Sequence, residues 1–264
     1  MSIRLIVLIT TVLCYSSTSF SGEKIKLYAL YTPSHEILKD QFFLPSIKDD
    51  FEIILEFCEQ TCPNAQFMSE GWTDTTMRKV DLIIRAIHEN WGKVFIFSDV
   101  DIQFFVPIQS TILMLMQDKD IIMQKNNPEG VLCTGFFACR GNEKTLQLWT
   151  DVKQVMEINK LQSDQISFNQ CIKRNSKINP YNVAWNYLPD SFFGGGTLTG
   201  YTWVPGASLP IPHDIMMHHA NWTKGVKNKI AQLMYVKESV NNHRNNLKKG
   251  FHFFTSKKKT YTRR

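Results

Sequence analysis

The sequence predicts an α/β domain with a mostly parallel central sheet. Short apolar segments, such as residues 25–31 and 93–97, have the length and composition of buried strands. Between them lie segments whose apolar residues recur at helical spacing, such as 73–90. We find no internal repeat, and a regular alternation of strands and helices favours a sheet that is covered by helices.

The first half of the chain contains three predicted strands. They cover residues 25–31, 51–57 and 93–97. Ser34 is predicted to cap a helix that begins near His35, because a serine side chain accepts hydrogen bonds from a first helical turn. The helix predicted over 73–90 has Asp74 in its first turn, where a negative charge is favourable.

The second half continues the same alternation. A helix is predicted after Pro107, and strands are predicted at 121–124 and 131–139. Two further helices are predicted, one capped by Asn142 and one that begins at Ser163 and ends near Lys173. Residues 179–212 are rich in Gly, Pro, Asn and aromatic residues, which favours loops and short strands of the kind that form binding sites. A basic amphipathic helix is predicted over about 226–240.

The two ends of the chain are predicted to lie outside a folded domain that spans residues 25–240. Arg4, an apolar run at 5–15 and small residues at 16–21 are typical of a secretory signal peptide over 1–22. Retention of that segment would make it a membrane anchor. We therefore expect an extracytoplasmic location, a Golgi-like lumen if the host is eukaryotic.

The net charge of +6 belongs to the C-terminus. Eight of the 30 basic residues and no acidic residue lie in 244–264, so the remainder, with 22 basic and 24 acidic residues, is nearly neutral. Residues 241–264 are thus predicted to be a basic tail that contacts an anionic membrane surface weakly. Binding of nucleic acid is not expected.

A pair of carboxylates follows the apolar strand at 93–97. Asp99 and Asp101 stand where ligands bind in open α/β sheets, just beyond the carboxyl end of a strand. Carboxylate oxygens suit Mg²⁺ or Mn²⁺ and, through the metal, a diphosphate. A solvated turn is the alternative explanation of the pair.

Two further segments carry reactive side chains. His218 and His219 precede Lys227 and Lys229 in the sequence HHANWTKGVKNK, and neutral imidazole binds Mn²⁺ while lysines neutralise phosphate. Ser163-Asp164-Gln165 opens a predicted helix with a carboxylate and an amide.

In this order, the motifs resemble a known family. They are Thr32 after the first strand, Lys79 on the helix, FSDVDIQFF (97–105), TGFFACR (134–140), SDQISFNQ (163–170), YLPDSFFG (187–194) and HHANWTKGVKNKI (218–230). The series looks like the nucleotide-diphospho-sugar transferase domain, related to glycosyltransferase family 77. The resemblance covers roughly residues 25–232 and implies a GT-A fold, a Rossmann-like α/β/α sandwich. Cys133 stands where the family more usually has asparagine.

The resemblance also implies roles for individual residues. Asp99 and Asp101 occupy the Asp-x-Asp motif, and His219 is the implied C-terminal metal ligand. The residues implied to contact the nucleotide-sugar donor are Tyr31, Thr32, Lys79, Asp99 and Lys229, with Lys227 as the alternative to Lys229. Asp164 and Gln165 match the catalytic segment that faces the transferred sugar. Asn221, within an Asn-Trp-Thr glycosylation sequence, is interpreted as a site residue.

The function implied by the resemblance is transfer of a sugar from a nucleoside-diphosphate sugar to a glycan or another hydroxyl acceptor. Mn²⁺ or Mg²⁺ is the implied cofactor, and retention of anomeric configuration is expected. The mechanism is either a front-face substitution or a double displacement with Asp164 as the nucleophile. The alternatives are a metal-dependent nucleotide-sugar hydrolase or phosphodiesterase and a catalytically silent module that binds glycan or nucleotide.

Overall fold

The computed structural model describes residues 24–62, 70–160, 162–172 and 180–258, with residues 247–258 described only as backbone. A six-stranded sheet forms its centre, in the order β2-β1-β3-β6-β5-β7. The strands are β1 (Lys26–Tyr31), β2 (Glu52–Phe57), β3 (Val94–Ser98), β5 (Ile121–Lys125), β6 (Leu132–Arg140) and β7 (Trp185–Tyr187). A small sheet, ordered β4-β9-β8, is formed by β4 (Ile102–Phe104), β8 (Phe192–Gly194) and β9 (Met217–His219).

Five strands of the central sheet run in one direction. Parallel pairs join β1 to β2, β1 to β3, and β5 to β7, whereas β6 is antiparallel to both of its neighbours. The prediction of a mostly parallel α/β sheet is confirmed. The antiparallel direction of β6 follows from its short connection to β5, since a parallel return would need a crossover of a dozen or more residues.

The helices include α3 (Trp72–Glu89), α4 (Gln109–Leu115), α5 (Glu143–Ile158), α6 (Asp164–Cys171) and α7 (Val226–Lys258). Asn142 caps α5, because its side chain accepts from the Thr145 N–H at 3.0 Å and the Thr145 hydroxyl accepts from the Asn142 N–H at 3.2 Å. Ser163 caps α6 through the Ile166 N–H at 3.3 Å. These predicted caps are confirmed.

One predicted cap and one predicted helix end are wrong. The segment after β1 starts with a 3₁₀ turn at Pro33–His35, followed by α1 (Glu36–Leu38), a π-helical stretch at Lys39–Phe43 and α2 (Leu44–Ser46). Proline suits the first helical position because its fixed φ is already helical and it lacks an N–H. Ser34 caps nothing there, and its hydroxyl lies 2.9 Å from His35 Nδ1. At the other end, α7 continues to Lys258 rather than ending near Val240.

Alternate residues of the central strands supply two hydrophobic clusters, one on each face of the sheet. Tyr28 and Phe97 pack with α3, α5 and α6, whereas Leu27 and Ile96 pack toward α4 and the small sheet. Because successive side chains of a strand point to opposite faces, each strand contributes to both clusters, and the sheet lies between two covering layers. The α/β/α sandwich expected from the sequence is therefore present.

The part of the chain that the structure describes contains no helix that is both long and apolar enough to cross a membrane. The predicted signal peptide at 1–22 lies outside the described residues. So do residues 259–264, the end of the predicted basic tail.

Trp149 belongs to the hydrophobic cluster that includes Tyr28 and Phe97, and its substitution tests the packing of that cluster. Its side chain is fully buried and lies with its ring centroid 4.8 Å from that of Phe168 and 5.4 Å from that of Phe137. We expect Trp149→Ala to lower the free energy of unfolding by about 3–5 kcal/mol, measured by urea denaturation, because the loss leaves a cavity. Ile158→Ala, at a residue of the same helix that is 79% exposed, is the control. An equal loss in both variants would contradict the packing described.

Candidate active site

The chain passes from the central sheet into the small sheet through residues 99–101. The backbone of this link is fixed at both ends: the Asp99 N–H donates to the Gly135 carbonyl at 2.7 Å, and the Asp101 carbonyl accepts from the Ala220 N–H at 2.9 Å. Asp99 and Asp101 therefore lie at the junction of the two sheets, with their positions set by hydrogen bonds to other strands.

His219 joins these carboxylates through strand pairing. It is the last residue of β9 and stands opposite Ile102 of β4, the residue after Asp101. Its Nε2 lies 3.2 Å from Asp101 Oδ1 and 4.0 Å from Asp99 Oδ2. Within the described residues, these three side chains form a group whose potential metal-ligand atoms all lie within 4.8 Å of one another. Two carboxylates and an imidazole suit Mn²⁺ or Mg²⁺.

The neighbouring histidine points the opposite way. His218 is fully buried and stacks on Phe193, with ring centroids 5.6 Å apart. Burial, together with the charge of His219, lowers the pKa of His218 to about 3. Alternation along β9 thus directs one imidazole of the pair to the site and the other into the core.

Lys229 balances the charge of Asp101. It lies in the first turn of α7, and its ammonium forms an ion pair with Asp101 Oδ2. Burial alone would raise the pKa of Asp101, but Lys229 and His219 hold it well below its usual range. Burial would lower the pKa of His219, but the charge of Asp101 raises it to about 10.

Lys79 connects Asp99 to Asp164. Its ammonium, on α3, lies 3.0 Å from Asp99 Oδ1 and 3.2 Å from Asp164 Oδ2. Burial opposes the charged form of this lysine, but the carboxylates of Asp164 and Asp99 raise its pKa above the ordinary value. The Thr134 hydroxyl also donates to Asp164 Oδ2, at 2.7 Å. The four side chains form one network of charge and hydrogen bonds, in which Lys79, Thr134 and Asp164 are buried and Asp99 is partly exposed.

A cavity of about 430 Å³ lies above these groups. Its lining includes every site residue that the resemblance implied, namely Tyr31, Thr32, Lys79, Asp99, Asp101, Asp164, Gln165, His219 and Lys229. Lys227, the alternative to Lys229, is exposed on α7 and does not line the cavity. The structure therefore brings together residues that are up to 198 positions apart in the chain.

Further lining residues were not predicted. Trp72, Thr76, His35 and Trp222 also line the cavity. His35 is half-buried, and its partial removal from water, with the charge of Lys229, lowers its pKa to about 4. Trp222 belongs to the motif that contains His219, whereas Trp72, Thr76 and His35 carry no motif that marks them in the sequence.

Gly135 has no space for a side chain. A Cβ atom at this position would lie 2.4 Å from His219 Cε1 and 2.7 Å from Asp99 Oδ2. Both distances are far below van der Waals contact, so only glycine lets β6 approach two of the potential metal ligands this closely. Its neighbour Cys133 faces the same imidazole, with Sγ 3.9 Å from His219 Nδ1.

Asn221 is buried and holds a loop against the site. Its Oδ1 accepts from the Gly196 N–H at 3.0 Å, and its Nδ2 lies 3.4 Å from Asn126 Oδ1. A Cβ at Gly196 would lie 2.2 Å from the Trp222 ring. In the folded protein, Asn221 is therefore a structural residue of the cavity wall.

Comparison with solved structures relates this architecture to known proteins. A glycosyltransferase involved in the glycosylation of the major capsid of PBCV-1 matches 80% of this chain and 100% of its own, with 12% identity and a TM-score of 0.53. This likeness identifies the fold as that of GT-A glycosyltransferases. Mouse xyloside xylosyltransferase 1 matches 75% of this chain and 97% of its own, with 13% identity and a TM-score of 0.47. A search of curated protein sequences gave no match.

A match to a protein-family model assigns the chain to a family. The model of the nucleotide-diphospho-sugar transferases matches residues 58–233, about two thirds of the chain. The matched range begins at the end of β2 and ends within α7, so it contains the Asp-x-Asp pair, Asp164, His219 and Lys229. The chain belongs to the nucleotide-diphospho-sugar transferase family and is a glycosyltransferase of the nucleotide-sugar type.

Proposed function

We propose that this glycosyltransferase depends on a divalent metal and transfers a sugar, with retention of configuration, from a nucleoside-diphosphate sugar to a hydroxyl of a glycan or another acceptor. The observation that supports metal dependence is the convergence of Asp99, Asp101 and His219 within 4.8 Å beside the cavity. Their donor set fits Mn²⁺ or Mg²⁺, and Gly135 leaves room beside it. When bound, the metal would supply positive charge next to the diphosphate.

The binding of the donor follows from the positions of the lysines and the aromatic wall. Lys229 would lie against the diphosphate, and Tyr31 and Thr32 would border the base and ribose; all three residues line the cavity. As the bond between the sugar and the phosphate oxygen breaks, its electron pair remains on that oxygen. Lys229 would then stabilise the negative charge that develops there.

Asp164 and Gln165 would act on the transferred sugar. Asp164 forms an ion pair with Lys79, and a carboxylate at this position can stabilise positive charge that develops on the sugar. In a front-face substitution, the acceptor oxygen forms the new bond to the anomeric carbon, and its proton passes to the departing phosphate oxygen. In the double displacement, Asp164 would instead bond to the anomeric carbon as the bond to the phosphate oxygen breaks. The acceptor oxygen would then replace Asp164 on that carbon, and its proton would pass to the released diphosphate.

We also propose an extracytoplasmic site of action, in a compartment that contains nucleotide sugars. The support is the signal-like sequence of residues 1–22. The basic residues of 244–264 would give weak contact with an anionic membrane surface.

Asp101→Asn tests the metal site. We expect it to reduce sugar transfer by roughly 100-fold or more, because it removes the charge that faces both the metal and Lys229. The assay follows transfer from a panel of nucleotide sugars with Mn²⁺ present, and circular dichroism checks that the fold is intact. Asp118→Asn, at an exposed carboxylate paired with Lys119, is the control. Undiminished transfer by a folded Asp101→Asn protein would refute the assignment.

Removal of the metal provides an independent test. We expect a chelator to abolish transfer and excess Mn²⁺ or Mg²⁺ to restore it, because the acidic site binds divalent cations through oxygen ligands. Incubation without an acceptor separates transfer from hydrolysis. Equal donor consumption with and without acceptors would favour the nucleotide-sugar hydrolase, and binding of the donor without any consumption would favour the silent module.

Lys229→Ala and Lys227→Ala form a matched pair on α7. We expect Lys229→Ala to raise the KM for the donor by roughly tenfold, because one phosphate contact of a charged group is lost, and Lys227→Ala to change it by less than about twofold. Steady-state kinetics with the preferred donor measures both. A larger effect at Lys227 would assign the phosphate contact to that residue.

The anomeric configuration of the product tests the stereochemistry of the transfer. We expect ¹H NMR of early product to show the anomeric configuration of the donor. Inverted product would exclude both the front-face and the double-displacement mechanisms. A covalent sugar adduct on Asp164, detected by mass spectrometry with a slow donor analogue, would select the double displacement.

A further inference from the structure

Two buried glutamines contact the two adjacent histidines of β9. Gln124, near the end of β5, is fully buried, and its Oε1 lies 2.9 Å from His219 Nδ1. Gln103 of β4 is 3% exposed, and its Nε2 lies 3.3 Å from His218 Nδ1. The Gln124 amide therefore presents its oxygen to His219, whereas the Gln103 amide presents its nitrogen to His218.

A backbone carbonyl fixes the orientation of each amide. Gln124 Nε2 donates to the Phe192 carbonyl at 2.9 Å, and Gln103 Nε2 donates to the Leu233 carbonyl at 2.8 Å. Rotation of the Gln124 amide by half a turn would place its oxygen against the Phe192 carbonyl, two acceptors facing each other. The oxygen of Gln124 is thus held toward His219.

We propose that Gln124 is the positioning residue of the metal site: its side-chain oxygen accepts the Nδ1–H of His219 and so directs the Nε2 lone pair at the metal. This inference rests on the metal site of the proposed function. An imidazole that donates from one nitrogen to a fixed acceptor binds a metal with the other, and the acceptor also fixes the orientation of the ring. Nε2 is the atom that lies beside Asp101 and Asp99.

An irregularity in the central sheet brings Gln124 to this position. The partner of β5 changes from Phe137, opposite Met123, to Cys133, opposite Gln124. A break in register of this kind redirects side chains near functional sites. Cys133 Sγ also approaches His219 Nδ1, at 3.9 Å, but sulfur is a weaker acceptor than the amide oxygen.

Gln103 performs the opposite role for His218 and supplies a matched control. It faces His218 Nδ1 with a donor, which requires that nitrogen to accept, and this imidazole points into the core beside Phe193. Substitution of either glutamine removes a buried amide and one hydrogen bond to a backbone carbonyl. The two substitutions therefore cost similar stability and differ in whether they touch the metal site.

The test measures Mn²⁺ binding to the purified protein by electron paramagnetic resonance, with no donor present. We expect Gln124→Met to raise the Kd for Mn²⁺ by roughly 10- to 100-fold, and Gln103→Met to change it by less than about threefold at a comparable loss of Tm. Gln124→Glu, which keeps an oxygen toward His219, should stay within about tenfold of the unchanged protein and bind more tightly than Gln124→Met.

The outcomes distinguish the role of Gln124 from the existence of the metal site. If the unchanged protein binds Mn²⁺ and Gln124→Met binds it equally well, or if Gln103→Met loses as much affinity, the role of Gln124 is refuted and the metal site stands. If the unchanged protein does not bind Mn²⁺, the metal site and the role of Gln124 fall together.

Discussion

The link at residues 99–101 is the constraint on which the site depends. It joins the two sheets, since β3 ends at Ser98 and β4 begins at Ile102. The backbone hydrogen bonds to Gly135 and Ala220 tie it to β6 and to the residue after β9. Any shift of the small sheet against the central sheet would therefore alter the distance between the two carboxylates and His219. The position of the site is fixed by strand pairing, which is more rigid than a loop would be.

Charge balance is the second constraint. Asp99, Asp101 and Asp164 face Lys79 and Lys229, and both lysines are largely withdrawn from water. Buried charges are tolerated because each has a partner, and removal of one leaves an uncompensated charge in a medium that solvates it poorly. The same arrangement holds charged groups in place before a substrate arrives, so little reorganisation is needed when charge develops during a reaction.

Much of the fold could be predicted from local patterns. The periodicities of β1, α3 and β3 and the caps at Asn142 and Ser163 are local properties, and the structure confirms them. The direction of β6, by contrast, depends on tertiary pairing. Its residues are buried on both faces, so their hydrophobic pattern is compatible with either direction. The expected cap at Ser34 is absent because Pro33 can itself begin a helical turn.

The candidate site was predictable to a similar extent. The carboxylates of Asp99 and Asp101 follow a recognisable strand, and His219 lies in a recognisable motif, but their proximity arises from the pairing of β4 with β9. Gln124 has no such signal, because a glutamine near the end of a strand is ordinarily a solvated residue. Its contact with His219 depends on a change of register that no local pattern encodes.

The burial of Asn221 bears on how the chain is made. Oligosaccharyl transfer in a eukaryotic secretory compartment acts on Asn-x-Thr before folding is complete, and Asn221-Trp222-Thr223 is such an acceptor sequence. A chain that received a glycan there could not bring Asn221 Nδ2 toward Asn126 within the closed cavity wall. In the extracytoplasmic location proposed above, folding and glycosylation would thus compete for the Asn221 side chain during synthesis.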